Sequence, residues 1–299
     1  MNLAHRAAVI ALALIVPTAV SAPAGAHAGG LSPAAVRSEE LTVSPVVRGL
    51  TVTTIEDGAR LLISNNTGLL VEISPGGGAT APASVPSGES RAWIDSRATI
   101  LDRELGSRTS APWSVPITAG PVPVTVTGRF VAAPPPAAPV WWIATAGLAA
   151  AVLVPARRVR RPELMLAIAG LVTVLASLAH VIGSTLAVQS ASPVGTFLDA
   201  MGIGLLVWPM VTIAAVAAWR GRAAGVLGVC VGAALNVVFI LPDITVFHFG
   251  VLPFAGPDAV ERLLVALVLG AGTGVAVGGA GALRVLAGLQ HNCPNQTGK

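Results

Sequence analysis

Charge is scarce in this chain of 299 residues: 11% of its positions are charged and 54% are hydrophobic, whereas soluble domains carry roughly 25% charged residues. That shortage excludes an ordinary soluble protein and requires a non-aqueous solvent for much of the chain. Lysine occurs once, at Lys299, beside abundant alanine, glycine, valine and arginine, the residue bias of a GC-rich genome. The net charge is only +4 and the arginines are dispersed, so no nucleic-acid partner is implied; the basic residues belong to membrane topology. Cysteine occurs only at Cys230 and Cys293, neither in the stretch read as lying outside the membrane, which excludes a disulfide framework there. Between residues 29 and 133 there is no histidine, cysteine or methionine. A soft-metal site in that stretch has no ligands, and no hydroxyl there has an imidazole to activate it. No catalytic residue, cofactor or metal is expected.

What is present divides the chain. His5 and Arg6, the apolar run Ala7 to Val16 and the small residues ending Ala26-His27-Ala28 form a secretory signal, 1–28, with cleavage expected after Ala28. Residues 29–133 read as an extracytoplasmic β domain. Leu50 to Ile55 and Leu61 to Ser64 flank Asp57-Gly58, a dipeptide suited to a tight hairpin turn. Leu69 to Ile73 follows Asn66-Thr67-Gly68, which predicts a three-stranded meander. Further strands are expected at Ser90 to Ile94, around Trp113 to Ile117 and at Val122 to Val131, whose Pro123 predicts an edge position. About seven short strands imply an immunoglobulin-like β-sandwich, with Trp93, Trp113 and Phe130 in its core. Residues 134–139, centred on Pro134-Pro135-Pro136, form a Pro-rich spacer.

A transmembrane helical domain, 140–286, follows. Five apolar runs, Val140 to Ala156, Leu164 to Val188, Val194 to Trp219, Ala223 to Leu241 and Leu263 to Leu286, are long enough to cross the lipid bilayer. Arg157, Arg158, Arg160 and Arg161 follow the first run, Arg220 and Arg222 the third, and Arg284 and Lys299 the fifth; the opposite loops offer only Arg262. The positive-inside rule therefore places the C-terminal tail, 287–299, in the cytoplasm and the β domain outside a plasma membrane.

Polar residues in the spans gather toward the outer side. His180, Asp199, Asn236, Asp243 and His248 define an expected outward-facing vestibule, with Asp258, Glu261 and Arg262 read as preceding the fifth helix. Ionisable groups inside spans are costly and often functional. His180 lies deepest, and Asp199 is its expected partner. Gly228 and Gly232, and Gly270, Gly274 and Gly278, recur at a spacing of four, which lets helix backbones approach closely.

Three stretches, Ile63 to Gly68, Trp93 to Arg97 and Pro112 to Pro116 leading to Gly128 and the proline spacer, resemble a family of uncharacterised actinobacterial multi-pass membrane proteins with an exported β domain. The family's middle stretch looks like Trp-His-Asp-His-Arg; here Trp93, Asp95 and Arg97 match, and Ile94 and Ser96 stand in place of the histidines. The layout is also distantly similar to copper-resistance proteins that pair a periplasmic sandwich with a membrane permease, a likeness of architecture only. The resemblance supplies no activity. The expectation is a non-enzymatic cell-envelope protein whose β domain binds an envelope partner or positions the membrane part; the alternative is a transporter or metal-handling protein using the vestibule.

Overall fold

The computed structural model describes residues 28–76, 78 and 81–291, with the backbone alone at 280 and 282–291. The signal, apart from Ala28, and the tail beyond His291 fall outside the described residues. The chain forms a β-rich region of two antiparallel sheets followed by a helical region. Its strands are β1 (Val36–Ser44), β2 (Leu50–Ile55), β3 (Arg60–Asn65), β4 (Val71–Ile73), β5 (Ser84–Val85), β6 (Glu89–Trp93), β7 (Ser110–Ala119) and β8 (Val122–Ala132). One sheet has the order β1-β8-β7-β4-β5 and the other β2-β3-β6. Alternation of buried and exposed positions along β3 and β7 turns one face of each inward. Ile63, Trp93, Val115, Val126 and Phe130, from both sheets, share one core.

Two expectations are corrected. The hairpin between β2 and β3 closes through four residues, with Ile55 opposite Arg60, and Glu56, Asp57 and Gly58 all at positive φ. The meander does not form: β4 leaves β3 and pairs with β5 and β7. The cause is Asn65, fully buried at the end of β3. Its Nδ2 donates to the Leu69 and Val85 carbonyls at 2.8 Å each, and its Oδ1 accepts from the Thr67 N–H and hydroxyl. A buried amide is stable only when so satisfied, and satisfying it turns the chain toward the other sheet. β8 lies between β1 and β7 rather than at an edge, yet β1 pairing stops at Thr125, so Pro123 sits on a stretch that β1 leaves uncovered.

The helices are α1 (Ala138–Ala156), α2 (Pro162–Ala187), α3 (Pro193–Met201), α4 (Gly204–Trp219), α5 (Ala223–Ile240) and α6 (Asp258–His291), with a 3-10 segment, Leu241–Phe247, continuing α5. Four are long and apolar enough to cross a membrane, and α3 with α4 makes a fifth span if the pair, bent by 67°, counts as one. The third expected run is therefore broken, and the fifth begins five residues earlier than expected, so that Glu261 and Arg262 lie inside α6.

Small residues set the packing of these helices. A Cβ at Gly228 would lie 2.7 Å from Ala214 Cβ, and one at Gly232 would run into Val211, so α4 and α5 meet at backbone distance. At Gly270 and Gly274 the atoms met are the Thr145 and Ala149 carbonyl oxygens of α1; Gly278 is looser, 3.5 Å from Ala156 and Leu166.

The β region is fastened to the helices at their α2–α3 end. Ala34 and Val251 exchange two backbone hydrogen bonds, at 2.9 and 3.1 Å. The buried Glu56 accepts the Gln189 and Ser190 N–H groups on Oε1, at 3.0 Å each, while Oε2 pairs with Arg60 at 2.7 Å. Arg60 in turn donates to the Gly29 carbonyl and to the Ser190 hydroxyl.

Candidate functional site

His180 is carried by α2, seven residues before its end at Ala187, hence about 10 Å below the end nearest the β region. It is 4% exposed. Its Nε2 lies 3.2 Å from Asp243 Oδ2 on the 3-10 segment, and its Nδ1 lies 2.7 Å from Glu261 Oε1 in the first turn of α6. Both carboxylates are buried. The imidazole is thus flanked by a carboxylate at each ring nitrogen.

The two contacts bear on the proton count. At 2.7 and 3.2 Å a nitrogen lone pair facing an oxygen lone pair is repulsive, so a proton at each contact is the favourable arrangement. A neutral imidazole supplies one donor and an imidazolium two. Either the ring is charged between two carboxylates, or it is neutral and one carboxyl carries the second proton. Both arrangements give the trio a net charge of −1 and differ only in where a proton rests along one line of atoms. Arg262, 7% exposed, brings a positive charge next to Glu261 in the chain. It donates Nε to the Val246 carbonyl at 3.0 Å and Nη2 to the Phe249 carbonyl at 2.8 Å, and lies 3.6 Å from Asp258. Buried charge is tolerated only with such compensation.

Polar capacity around the trio is not exhausted. Asn236, 1% exposed on α5 about two turns before Asp243, has neither Oδ1 nor Nδ2 hydrogen-bonded among the described residues; the same holds for Ser184 Oγ, one turn beyond His180, and Glu261 Oε2. Ser177, one turn below His180, accepts from the Trp208 indole at 3.2 Å. The opposite end of the bundle is different: Leu166, Ala215, Ala218, Val226, Val229, Cys230 and Val275 close it as an apolar cluster. Among the described residues, the buried polar side chains of the helical region lie at or beyond Thr173 on α2, at Thr196 on α3, from Asn236 on α5 to Asp243, and at Glu261 and Arg262 near the start of α6.

Of the residues expected in a vestibule, the structure brings His180 and Asp243 together and buries Asn236. Asp199 and His248 are exposed. The bend between α3 and α4 carries Asp199 on a separate short helix, and Asp243 and Glu261 take its expected place at the imidazole. The apolar run alone puts Glu261 outside the span, although Pro257 followed by Asp258-x-x-Glu261 is a helix-start signal that puts the glutamate one turn inside. No group of three His, Cys, Asp or Glu side chains among the described residues is arranged to hold a metal ion. In the trio the reason is visible, since each carboxylate meets a different ring nitrogen.

A second polar cluster lies in the β region. Buried Asp95 accepts from the Trp93 indole at 3.2 Å, from the Arg97 N–H at 3.0 Å and from the Arg97 guanidinium at 2.9 and 2.8 Å. Burial opposes the charged carboxylate, but these hydrogen bonds, chiefly from Arg97, outweigh it and hold the Asp95 carboxyl below its ordinary range. Trp93, Asp95 and Arg97 therefore form one structural unit, and Ser96 turns out to the Gly76 carbonyl. Comparison with known proteins adds no relative to this geometry: no family model, no curated protein and no solved structure matches the chain.

Proposed function

We propose that this chain is a proton-responsive, non-enzymatic membrane protein of the cell envelope, in which an exported β domain is seated on a five-span bundle over a buried proton-binding site. One observation carries the reading. His180 sits between Asp243 and Glu261, and the chain segments that supply these three residues also hold the β region. α2 leads within ten residues to Gln189 and Ser190, bound by Glu56. Val251, bridged to Ala34, lies between Asp243 and Glu261. A proton gained or lost on the trio changes the attraction among these elements, and hence the seating of the β region. The arginine asymmetry supports an outward β domain. An immunoglobulin-like sandwich is supported by the order β2-β3-β6 facing β8-β7-β4-β5, since the chain crosses between sheets after β1, β3, β5 and β6; β1 is then an added strand.

The test is a distance measurement between spin labels at Val46 in the β region and Val159 at the far end of the bundle, in nanodiscs, with native cysteines replaced. The distribution is expected to shift along a pH titration of the otherwise native protein and to stay fixed in H180Q. A pH-independent distribution in the native protein refutes the reading. Asn236 favours a second reading, a proton-coupled transporter, because a buried amide without partners among the described residues suits a solute-binding depth; solute uptake by proteoliposomes that is lost in N236L but not in S87A supports that reading instead.

A further inference from the structure

A cleft of about 450 Å³ opens where the β region meets the helices. Arg37, Thr54 and Asp57 line it from the β side, and Gln189, Phe254 and Asp258 from the bundle. Its Phe254 and Asp258 belong to the segment that leads into Glu261. Asp258 precedes Glu261 by three residues on α6, so the two carboxylates are neighbours on one helix face, with Cβ atoms about 5–6 Å apart. Phe254 faces two ways. It lines the cleft, and a Cβ at Gly183 would run into its ring, so it covers α2 one turn from His180. The Ala255 N–H fixes it there by donating to the Gly183 carbonyl at 3.0 Å.

We infer that this cleft is the aqueous entrance to the Asp243–His180–Glu261 site, that Asp57 and Asp258 pass protons to Glu261, and that Phe254 is the door between them. The inference rests on the proton-binding reading above. A carboxyl of Asp57 or Asp258 releases a proton and Glu261 takes it; no electrons move. The charged groups facing the route are Arg37 from β1, Glu56 engaged by Arg60, Asp57, Asp258 with Arg262, and then Glu261, His180 and Asp243. Burial, together with the Asp258 charge, pushes the Asp57 carboxyl up from its ordinary value against the opposing Arg37, which brings it nearer to the range where a proton is both taken and released. The β region is then part of the site: without Asp57 the entrance keeps Asp258 and a Glu56 already engaged by Arg60.

The experiment uses the full chain in nanodiscs with ¹⁵N-histidine, His180 being assigned by its loss in H180Q, and measures exchange of its ring proton with water at fixed pH. The carboxylates of the cleft outnumber its one cation, Arg37, and a cleft of net negative charge raises local cation encounter by about 10-fold, so the double variant D57N/D258N is expected to slow exchange about tenfold without moving the His180 titration midpoint. T54W, which fills the cleft and leaves every charge in place, is expected to slow it as well, and F254A to quicken it. Exchange unchanged in both D57N/D258N and T54W overturns the entrance, and the proton-binding reading stands if D243N and E261Q still move the midpoint. A midpoint insensitive to D243N and E261Q overturns that reading and the entrance with it.

Discussion

Removing the Glu56 carboxylate by Glu56→Ala tests whether one side chain holds the β region on the bundle. It deletes two hydrogen bonds to the Gln189 and Ser190 N–H groups and the pair with Arg60. Hydrogen bonds to a charged group are worth about 1.5–3 kcal/mol each while both partners stay out of water. Gln189 and Ser190 are exposed, so their N–H groups find water, and each loss shrinks to about 0.5–1 kcal/mol. The Arg60 side chain is 17% exposed and keeps the Gly29 carbonyl, whereas the carboxylate itself is fully shielded, so the pair contributes about 1–2 kcal/mol. The sum, about 2–4 kcal/mol, acts on docking and leaves the sheets intact, because Glu56 belongs to no strand. At about 1.4 kcal/mol per factor of ten, local opening should rise roughly 30- to 700-fold. Hydrogen exchange read by mass spectrometry on peptides spanning 186–192 reports it, with the β3 amides as an internal control. Glu56→Gln, which keeps an acceptor for both N–H groups, should show the smaller part of the effect. Exchange at 186–192 equal in Glu56→Ala and the native chain refutes the clamp.

Three further expectations concern packing, acid stability and topology. Gly270→Ala pushes a methyl onto the Thr145 carbonyl oxygen, whereas Gly278→Ala meets only ordinary contacts at 3.5 Å; the first should cost about 1–3 kcal/mol and the second about nothing, measured by steric-trap or denaturant unfolding in detergent. Because the Asp95 carboxyl is held below its ordinary value, its contribution is complete above about pH 4 and is lost as pH falls through the folded-state value. Asp95→Asn should therefore lower the melting temperature at pH 7 and flatten the acid limb of the stability profile, and a melting profile parallel to the native one contradicts this. Cysteines at Val46, 90% exposed, and Val159, 41% exposed, should divide, the first reacting with an impermeant thiol reagent on whole cells and the second only after lysis; labelling of Val159 on intact cells reverses the topology.

The pattern of alternation made β2, β3, β6, β7 and β8 legible, because their inward residues meet one core whichever sheet they join. Sheet membership was not legible in that way. It turns on Asn65, whose four hydrogen bonds involve Leu69 and Val85 as well as its neighbour Thr67, and periodicity carries no record of a buried amide's distant partners. In the membrane part, the apolar runs foretold four helices to within a few residues, except at the two ends of α6, each five residues off, and the spacing of Gly270 and Gly274 foretold close approach to a neighbour but not that the neighbour is α1. At the site, the depth of His180 and the outer gathering of acids were visible in the chain. Asp199 is nearer in sequence than Asp243 or Glu261, and nearness in sequence was a poor guide because the backbone breaks at Gly202, at positive φ, before α4 begins.

That break has a consequence for the surrounding lipid. α4 has 16 residues, about 24 Å of helix, against a hydrocarbon thickness of roughly 30 Å. α3 turns away by 67° and exposes Val194 and Leu198 one turn apart, which suits a helix lying in the headgroup region rather than crossing it. The bundle is thus lopsided, full height along α2 and α6 and several ångströms short beside α4. Such mismatch is relieved by local thinning of the bilayer or by tilt, at a cost of fractions of a kcal/mol per ångström. Acyl-chain length should consequently act on this protein from the α4 side, with shorter-chain lipids the better solvent for it.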